Sequence, residues 1–258
     1  MKYALVKDSR QPANPGLKGN CPVCSSTLIA KCGNQRVWHW AHQTKRECDI
    51  WWENETEWHR SWKDQFPEFW QEVLHFADDG EKHIADIKTE QGWVIEFQHS
   101  KLDAAERRAR EEFYGRMVWV VDGLRRKRDL PQFQTALEMG RVISKTPWIL
   151  IAPLSNCALM QEWSSSRAPV FFDFGTSDLW CLAPGNSGGL VTLHLAGKKD
   201  LVRVHTEGSY NFQPEHLAEF VRPAKPGAAP GSRLAMHHPQ SFKQYVSRMH
   251  RARSRFRF

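Results

Sequence analysis

Two alternating segments joined by a short turn constrain the fold of this chain more than any other feature. KHIADIKT and WVIEFQHS both alternate polar and apolar residues, and the residues between them include a glycine that can supply the turn. If residues 90–92 form the turn, Thr89 pairs with Trp93. That register places Asp86 opposite Glu96, with both carboxylates on one face of the hairpin. A two-residue turn would reverse this relationship.

A facing pair of carboxylates favours a bound cation. Without a basic partner the two charges repel, and a divalent ion between them removes that cost. Ligand oxygens of this kind select Mg²⁺, or Mn²⁺ in its place, and such an ion can orient a water molecule against a phosphodiester. Gln98 shares a strand face with Glu96, so its amide can position that water. The plainer interpretation is that these acids are simply solvated.

The segment ENETEWHRSWKDQF predicts a helix that ends before Pro67. In this helix Trp58, Trp62 and Phe66 recur at every fourth position, which is typical of a buried stripe. The helix should therefore pack one aromatic face against the sheet.

Polar residues of the same helix can reach the carboxylate pair. Glu55, His59 and Lys63 are spaced by four and share a face, whereas Glu57 lies about 160° away from Glu55. Because helix ends fray, Glu57 remains an alternative to Glu55. His59 is either a general base or a surface histidine in contact with Glu55.

The order of elements predicts an α+β fold. A strand over EVLHF, the hairpin, a helix over LDAAERRAREEFYGR and a buried strand over MVWVVDG make a core of helix, three strands, helix and strand. Four later segments, from PWILIAP to GGLVTLHLAG, predict antiparallel strands of a C-terminal accessory layer. We expect a zinc-binding region at 1–50, the core at 51–146, a β-rich accessory region at 147–222 and a basic linker and tail at 223–258.

A paired-ligand spacing near the start predicts a structural zinc site. CPVC and WHWAH place two thiols and two imidazoles in close pairs, and four such ligands suit tetrahedral Zn²⁺ with no position left for water. The alternative is that these are ordinary buried thiols and histidines. The predicted ligands are Cys21, Cys24, His39 and His42, with Cys32 and Cys48 competing for the third or fourth place.

The charge of the chain points to a polyanionic partner. A formal net charge of +7 favours nucleic acid, although charge alone does not separate it from an acidic membrane surface. No apolar run is long enough for a membrane span and the start lacks a secretory signal, so we expect a soluble cytoplasmic protein. The predicted phosphate-binding residues are Lys101, Arg107, Arg108, Arg110 and Tyr114, together with Arg251, Arg253 and Arg255 of a basic terminal arm.

ADIKTEQGWVIEFQHS resembles the signature of the PD-(D/E)XK nuclease superfamily, in which an Asp is followed by Glu-x-Lys. The chain is more closely similar to the CoiA-like competence protein family, which joins a Cys/His motif, a helix with a Glu and a His before a Lys, and a strand with Glu-x-Gln. Residues 20–123 carry this resemblance. It implies a restriction-endonuclease-like core and metal binding by Asp86 and Glu96, and it gives Gln98 the place usually held by lysine.

An amide at that place cannot supply positive charge to the reaction, so we expect Lys63, His59 or Lys101 to substitute. His83 and His99 are expected to be structural. The sequence therefore predicts a metal-dependent DNA nuclease that acts in DNA uptake, recombination or defence. A non-catalytic DNA-binding accessory factor is the first alternative. A ribonuclease is the second, because neither the basic charge nor the acid pair distinguishes RNA from DNA by its 2′-hydroxyl.

Overall fold

The computed structural model describes residues 1–44, 48–78, 80–145 and 148–207. The chain divides into two compact units. Among the described residues, unit 1 comprises those of 1–100 and 113–116, and unit 2 comprises those of 101–112 and 117–207.

Unit 1 contains eight described strands arranged in two sets. The first set has the order β2-β1-β3-β4-β5, and the second has β7 between β6 and β8, with all its pairs antiparallel. The bounds are β1 Tyr3–Val6, β2 Ser9–Pro12, β3 Lys18–Asn20, β4 Thr27–Lys31, β5 His39–His42, β6 Gln71–Phe76, β7 Lys82–Lys88 and β8 Val94–Gln98.

The first set of strands packs around its own small core. Trp40 and Leu28 are buried on neighbouring strands, and the Cys21 side chain packs with them. All five strands in this set have three to five residues, and Trp40, at 1% exposed, contributes a large aromatic side chain to their core.

The register predicted for the β7–β8 hairpin is confirmed. Ile87 pairs with Ile95, and the Thr89 N–H donates to the Trp93 carbonyl at 2.9 Å. Gly92 has a φ of +80°, a left-handed conformation that favours glycine in a turn. Continuing the same register by one residue places Asp86 opposite Glu96.

Helix α1 spans Glu57–Lys63 and is shorter at both ends than the predicted segment, which runs from Glu53 to Phe66. Thr56 caps it, because its side chain accepts from the His59 N–H while the His59 ring accepts from the Thr56 N–H. Trp62 and Phe66 are buried and stack near Phe97 of β8. The predicted aromatic stripe is therefore present. A 3-10 turn over Glu68–Trp70 leads into β6.

Unit 2 is built on six strands in the order β10-β11-β14-β13-β12-β9. Strand β12 pairs in parallel with β9, so the prediction that all the later strands are antiparallel is wrong at this position. Helix α2 begins in unit 2, and its last two residues belong to unit 1. The bounds are α2 Ala104–Tyr114, β9 Met117–Asp122, α3 Asp129–Met139, β10 Arg141–Lys145, β11 Trp148–Pro153, α4 Ala158–Trp163, β12 Val170–Asp173, β13 Asp178–Ser187, β14 Leu190–Gly197 and α5 Lys198–Glu207.

The observed class is α+β with β-rich sheets, and the predicted order of helix, three strands, helix and strand is present from α1 to β9. Helices α3, α4 and α5 were not predicted. Within the described ranges, none of the helices has both the length and the apolar character needed to span a membrane.

Candidate functional site

Four side chains near the start of unit 1 form a group that can hold a metal ion such as zinc. Their ligand atoms all lie within 4.8 Å of one another, and the group consists of Cys21, Cys24, His42 and Cys48. The Cys21 and Cys48 sulfurs are 3.5 Å apart, and the Cys24 sulfur is 3.4 Å from Nε2 of His42. Three thiols and one imidazole are a ligand set that suits tetrahedral zinc.

The CPVC segment is folded as a tight knuckle. The Cys21 carbonyl accepts from the Ser25 N–H at 2.9 Å, and Ser25 adopts a φ of +59° that turns the chain back. The Val23 N–H points at the Cys21 sulfur at 3.4 Å. This backbone donor stabilises negative charge on the sulfur, which a metal-bound thiolate carries.

His39 does not belong to this group, and its predicted role as a ligand is wrong. Its Nδ1 atom instead lies 2.9 Å from the Val37 carbonyl oxygen. The physical reason is that HWAH forms a strand, β5, in which residues three apart point to opposite faces. Cys48, which was a competing candidate, takes the fourth place, and Cys32 is not part of the group.

The thiols of the group have unequal acidity. Although burial raises it, hydrogen bonds from Ser26 and His42 lower the pKa of Cys24 to about 6. Burial, and then contact with Cys21 and Cys24, raises the pKa of Cys48. Three thiols this close cannot all ionise unless a cation neutralises them, so the chemistry of the group fits a metal ion.

A second cluster surrounds the buried ammonium group of Lys63, at the end of α1. Its Nζ atom lies 2.9 Å from Asp86 Oδ1, 3.1 Å from Glu72 Oε1 and 3.5 Å from Glu55 Oε1. Burial lowers the pKa of Lys63, but Asp86, Glu72 and Glu55 raise it by more, so that its pKa lies well above the ordinary value. Lys63 therefore stays charged and cannot act as a base near neutral pH.

This contact corrects one premise of the sequence prediction. The carboxylate pair was expected to lack a basic partner, whereas Lys63 neutralises Asp86 directly. Repulsion between Asp86 and Glu96 alone therefore does not require a cation.

Glu72 ties the Lys63 cluster to strand β1. Its carboxylate accepts from the Lys2 N–H at 2.7 and 2.8 Å and from the Tyr3 N–H at 3.1 Å. Burial raises its pKa, but Lys63 and these backbone donors lower it to about 2. The residue adopts a φ of +47°, a strained conformation for glutamate. The anion is thus held in place from two sides.

Asp86 and Glu96 bridge the two strands through side-chain hydrogen bonds. The Asp86 N–H donates to Glu96 Oε1 at 3.1 Å, and the Phe97 N–H donates to Asp86 Oδ2 at 3.0 Å. Glu96 is buried, and the Asp86 side chain remains 22% exposed. The structure thus brings both predicted acids and Lys63 into one cluster, with Asp86 as its accessible member.

Gln98 faces a carboxylate that the sequence prediction missed. Its amide Nε2 donates to Glu53 and also lies 3.3 Å from the Ser100 hydroxyl, which donates to the same Glu53 oxygen. Glu53 is the first residue of the segment predicted as a helix, but α1 begins only at Glu57, so the helical pattern does not place Glu53 beside Gln98.

His59 is buried and performs a structural task. Its Nδ1 accepts from the Thr56 N–H as part of the helix cap, which assigns the proton of the neutral ring to Nε2. Nε2 lies 3.5 Å from Glu53 Oε2, too poorly aligned for a hydrogen bond. The alternative of a surface histidine in contact with Glu55 is wrong, because His59 is buried and Glu55 instead pairs with Arg60 at 2.7 Å and with Lys63.

The other predicted residues fall outside both groups or outside the described residues. Glu57 is exposed on the first turn of α1, and Lys101 is exposed. His83 is buried between Asp49 and Glu81, as expected of a structural residue, and the ring of His99 lies 6.0 Å from that of His59. The residues Arg251, Arg253 and Arg255 lie outside the described residues.

Three arginines of α2, Arg107, Arg108 and Arg110, were predicted to bind phosphate, and the burial of Arg107 and Arg110 contradicts that role for these two. Arg107 is 1% exposed, and its guanidinium donates to the Glu162 carbonyl and to Ser165. Arg110 is also buried, with Nε donating to Glu106 at 3.1 Å. Both guanidiniums are used in packing, whereas a phosphate contact needs exposed donors. Arg107 and Arg110 are therefore not available as phosphate ligands.

The net positive charge of the chain lies in its last residues. Residues 208–258 contain nine Lys or Arg and two Glu, a net charge of +7 that equals the formal charge of the whole chain. The preceding residues are balanced overall. The excess positive charge of the chain therefore lies in this terminal segment, which includes the predicted basic arm.

A comparison with known protein families matches the part of the chain that carries the metal group. Residues 18–51 match the family model of the competence protein CoiA, N-terminal domain. The match contains all four members of the Cys3His group and ends before Glu53. No curated protein and no solved structure matched the chain. The CoiA-like resemblance is thus supported over this N-terminal stretch.

Proposed function

We propose that the chain is a CoiA-like, metal-dependent DNA nuclease with a structural zinc site, working in the cytoplasm in DNA uptake, recombination or defence. The observation that carries the proposal is the cluster of Asp86, Glu96 and Lys63, in which two acids on paired strands meet one buried lysine. The combination of two acids and a lysine on a hairpin with a flanking helix supports a restriction-endonuclease-like core, which is part of the proposal.

Asp86 and Glu96 are the residues that would hold Mg²⁺ or Mn²⁺. Carboxylate oxygens are the donors these ions prefer, and magnesium sites commonly use only one or two protein carboxylates, with water and substrate phosphate completing the shell. In the part of the chain that the structure describes, the Cys3His group is the only set of three or more ligand atoms within 4.8 Å. The carboxylate site fits a metal only with such outside ligands. When bound, the ion would polarise a phosphate and acidify a water molecule.

Lys63 supplies the positive charge that the uncharged amide of Gln98 cannot supply. Its ammonium is held 2.9 Å from Asp86 and its raised pKa keeps it protonated. A fixed positive charge beside the reacting phosphate stabilises charge that develops in the transition state. Gln98, anchored at Nε2 by Glu53 and Ser100, would orient a water molecule through its amide carbonyl oxygen. The residue that supplies charge thus comes from α1 rather than from β8.

The zinc site has a separate, structural role in this proposal. Cys21, Cys24, His42 and Cys48 would fill all four positions of a tetrahedral ion. No position is left for a water molecule, so this site would not take part in catalysis.

A non-catalytic DNA-binding factor is the second candidate, and one observation favours it. Lys63 already neutralises Asp86, so the acid is stable without a metal ion. Under this alternative the chain retains the fold and the basic terminal segment but does not cleave.

One panel of assays separates these candidates. The full chain is incubated with linear duplex, circular duplex and single-stranded DNA and with RNA, in Mg²⁺ or Mn²⁺, and compared with Glu96→Gln. We expect the wild type to cleave DNA and Glu96→Gln to bind it without cleavage. Binding without cleavage of any substrate by the wild type would instead favour the accessory factor, and cleavage confined to RNA would favour the ribonuclease.

A further inference from the structure

We propose that the segment Cys48–Glu53, the connector, couples the metal group to strand β7 and to Gln98, with Asp49 as the positioning residue. Cys48 at one end belongs to the metal group, and Glu53 at the other end accepts hydrogen bonds from Gln98 and Ser100. The coupling itself does not depend on nuclease activity, and only its consequence for cleavage rests on the proposed function.

The connector alternates between buried and exposed side chains. Asp49 and Trp51 are 7% and 9% exposed, whereas Ile50 and Trp52 are 81% and 38% exposed. Residues 49–52 form a turn in which the Trp52 N–H donates to the Asp49 carbonyl at 3.2 Å, and the buried side chains of Asp49 and Trp51 anchor it on unit 1. A buried carboxylate such as that of Asp49 is tolerated only if its oxygens are satisfied by donors.

Asp49 is satisfied by strand β7 and by the connector itself. Its Oδ2 accepts from the Ile84 N–H at 2.9 Å, and its Oδ1 lies 2.8 Å from Nδ1 of His83. The same Oδ1 accepts from the Trp51 N–H at 2.9 Å. The residue that follows a metal ligand thus holds the backbone of β7 two residues before Asp86.

Trp51 adds an apolar contact to the same point of β7. Its indole stacks on the His83 ring with centroids 3.3 Å apart and an interplanar angle of 17°. The edge of Phe113 packs against it at 5.3 Å. The other ring nitrogen of His83 lies 2.9 Å from Glu81. Both nitrogens of His83 are therefore engaged, and the ring is fixed between Asp49 and Glu81.

The CPVC knuckle contacts β7 independently. The Lys82 Nζ donates to the Val23 carbonyl at 2.8 Å. Two of the four metal ligands, Cys24 and Cys48, are thus direct chain neighbours of residues that touch the first half of β7. A bound metal would restrain both points at once.

The state of the metal group determines how firmly the connector is held at its start. Metal–thiolate bonds near 2.3 Å fix a cysteine far more tightly than contacts between thiols do. Loss of the metal would release Cys48, loosen Asp49 and expose the Ile84 N–H to solvent. The resulting freedom in β7 would reach Asp86, and the freedom at Glu53 would reach Gln98. The zinc group would thereby act as a brace for the proposed catalytic residues.

Hydrogen exchange of the full chain tests the coupling without reference to cleavage. The zinc-loaded protein is compared with the chelated protein, reading peptides that cover β7 and β8, with β14 of unit 2 as internal reference. We expect zinc removal to accelerate exchange in residues 82–88 by about tenfold and to leave β14 unchanged. Faster exchange confined to residues 18–44, with 82–88 as protected as before, would overturn the proposal.

Asp49→Ala supplies the second arm, and Ile50→Ala is its matched control on the exposed face of the connector. Asp49→Ala should accelerate exchange in residues 82–88 while the protein still carries one zinc ion. Ile50→Ala should change neither the exchange of residues 82–88 nor the zinc content. Normal protection of 82–88 in zinc-loaded Asp49→Ala would contradict the assignment of Asp49. If that variant does not fold, the chelation arm on the wild type still decides the coupling. Absence of DNA cleavage would count against the proposed function alone.

Discussion

The Nζ atom of Lys63 lies 2.9 Å from Oδ1 of Asp86, and this contact joins the end of helix α1 to the β7–β8 hairpin. The same ammonium also forms ion pairs with Glu72 and Glu55. One cation therefore neutralises carboxylates from three separate parts of unit 1. The ion pair stabilises the fold by holding Asp86 in place. It also supplies positive charge beside Asp86, which the proposed cleavage reaction would use.

Replacement of Lys63 by methionine should destabilise the protein strongly. The change removes the cation and leaves three carboxylates close together, and breaking a buried ion pair from one side costs about 3–5 kcal/mol. Urea unfolding of the two proteins measures the difference. Lys18→Met, on the exposed surface of unit 1, should change the free energy of unfolding by less than about 0.5 kcal/mol. Equal stability of the two variants would contradict the role of Lys63.

Glu72 should make stability depend on pH in the acidic range. Its folded pKa of about 2 lies below the ordinary value of 4.5, so the contribution is fully present above pH 4.5 and is lost as pH falls toward 2. The lost contribution is on the order of 3 kcal/mol. Glu72→Gln keeps an acceptor for Lys2 and Tyr3 but cannot titrate. We expect its unfolding free energy to change less between pH 5 and pH 3 than that of the wild type, and parallel curves would refute this origin.

Zinc content should distinguish the ligands of the metal group. Cys48→Ser removes one of the four ligands and should reduce bound zinc well below one ion per chain. His39→Ala should retain one ion per chain, because its ring bonds to Val37 instead. Metal analysis of the two purified variants measures this directly. The reverse outcome, with zinc lost only from His39→Ala, would restore the original HxxH prediction.

The behaviour of HWAH shows what a spacing can and cannot predict. The CxxC pair was placed correctly, since a tight turn brings two residues three apart together whatever surrounds it. The HxxH pair needs a helix for both imidazoles to share a face, and β5 is a strand. Cys48 follows His42 closely in the chain and was a competing candidate, but the spacing alone does not decide between it, Cys32 and His39.

The β7–β8 hairpin was the most predictable part of the site, because the turn length and the alternation together fix one register. The contact of Lys63 with Asp86 depends on how α1 packs, which local pattern does not determine.

Helix α3 was not predicted, although the sequence contains a signal for it. Leu130, Phe133 and Leu137 are buried at helical spacing and Gly140 follows the last turn.

Gln98→Lys should be tolerated and should favour cleavage. The carboxylate of Glu53 already faces residue 98, so a lysine there gains an acidic partner. A second positive charge near the proposed scissile phosphate is expected to raise the cleavage rate by about tenfold. Initial rates on linear DNA, with thermal unfolding as the control for folding, provide the measurement. A folded variant that cleaves more slowly than the wild type would contradict the place given to Gln98.

The most direct test of the proposed nuclease centre is the single-turnover rate of DNA cleavage by Asp86→Asn in Mg²⁺, compared with Glu90→Gln. Glu90 is an exposed acid in the turn of the same hairpin and controls for the loss of one negative charge. We expect Asp86→Asn to lower the rate by about 100-fold or more and Glu90→Gln to leave it within about twofold of the wild type. Cleavage by Asp86→Asn at the wild-type rate would contradict the assignment of this cluster as a nuclease centre.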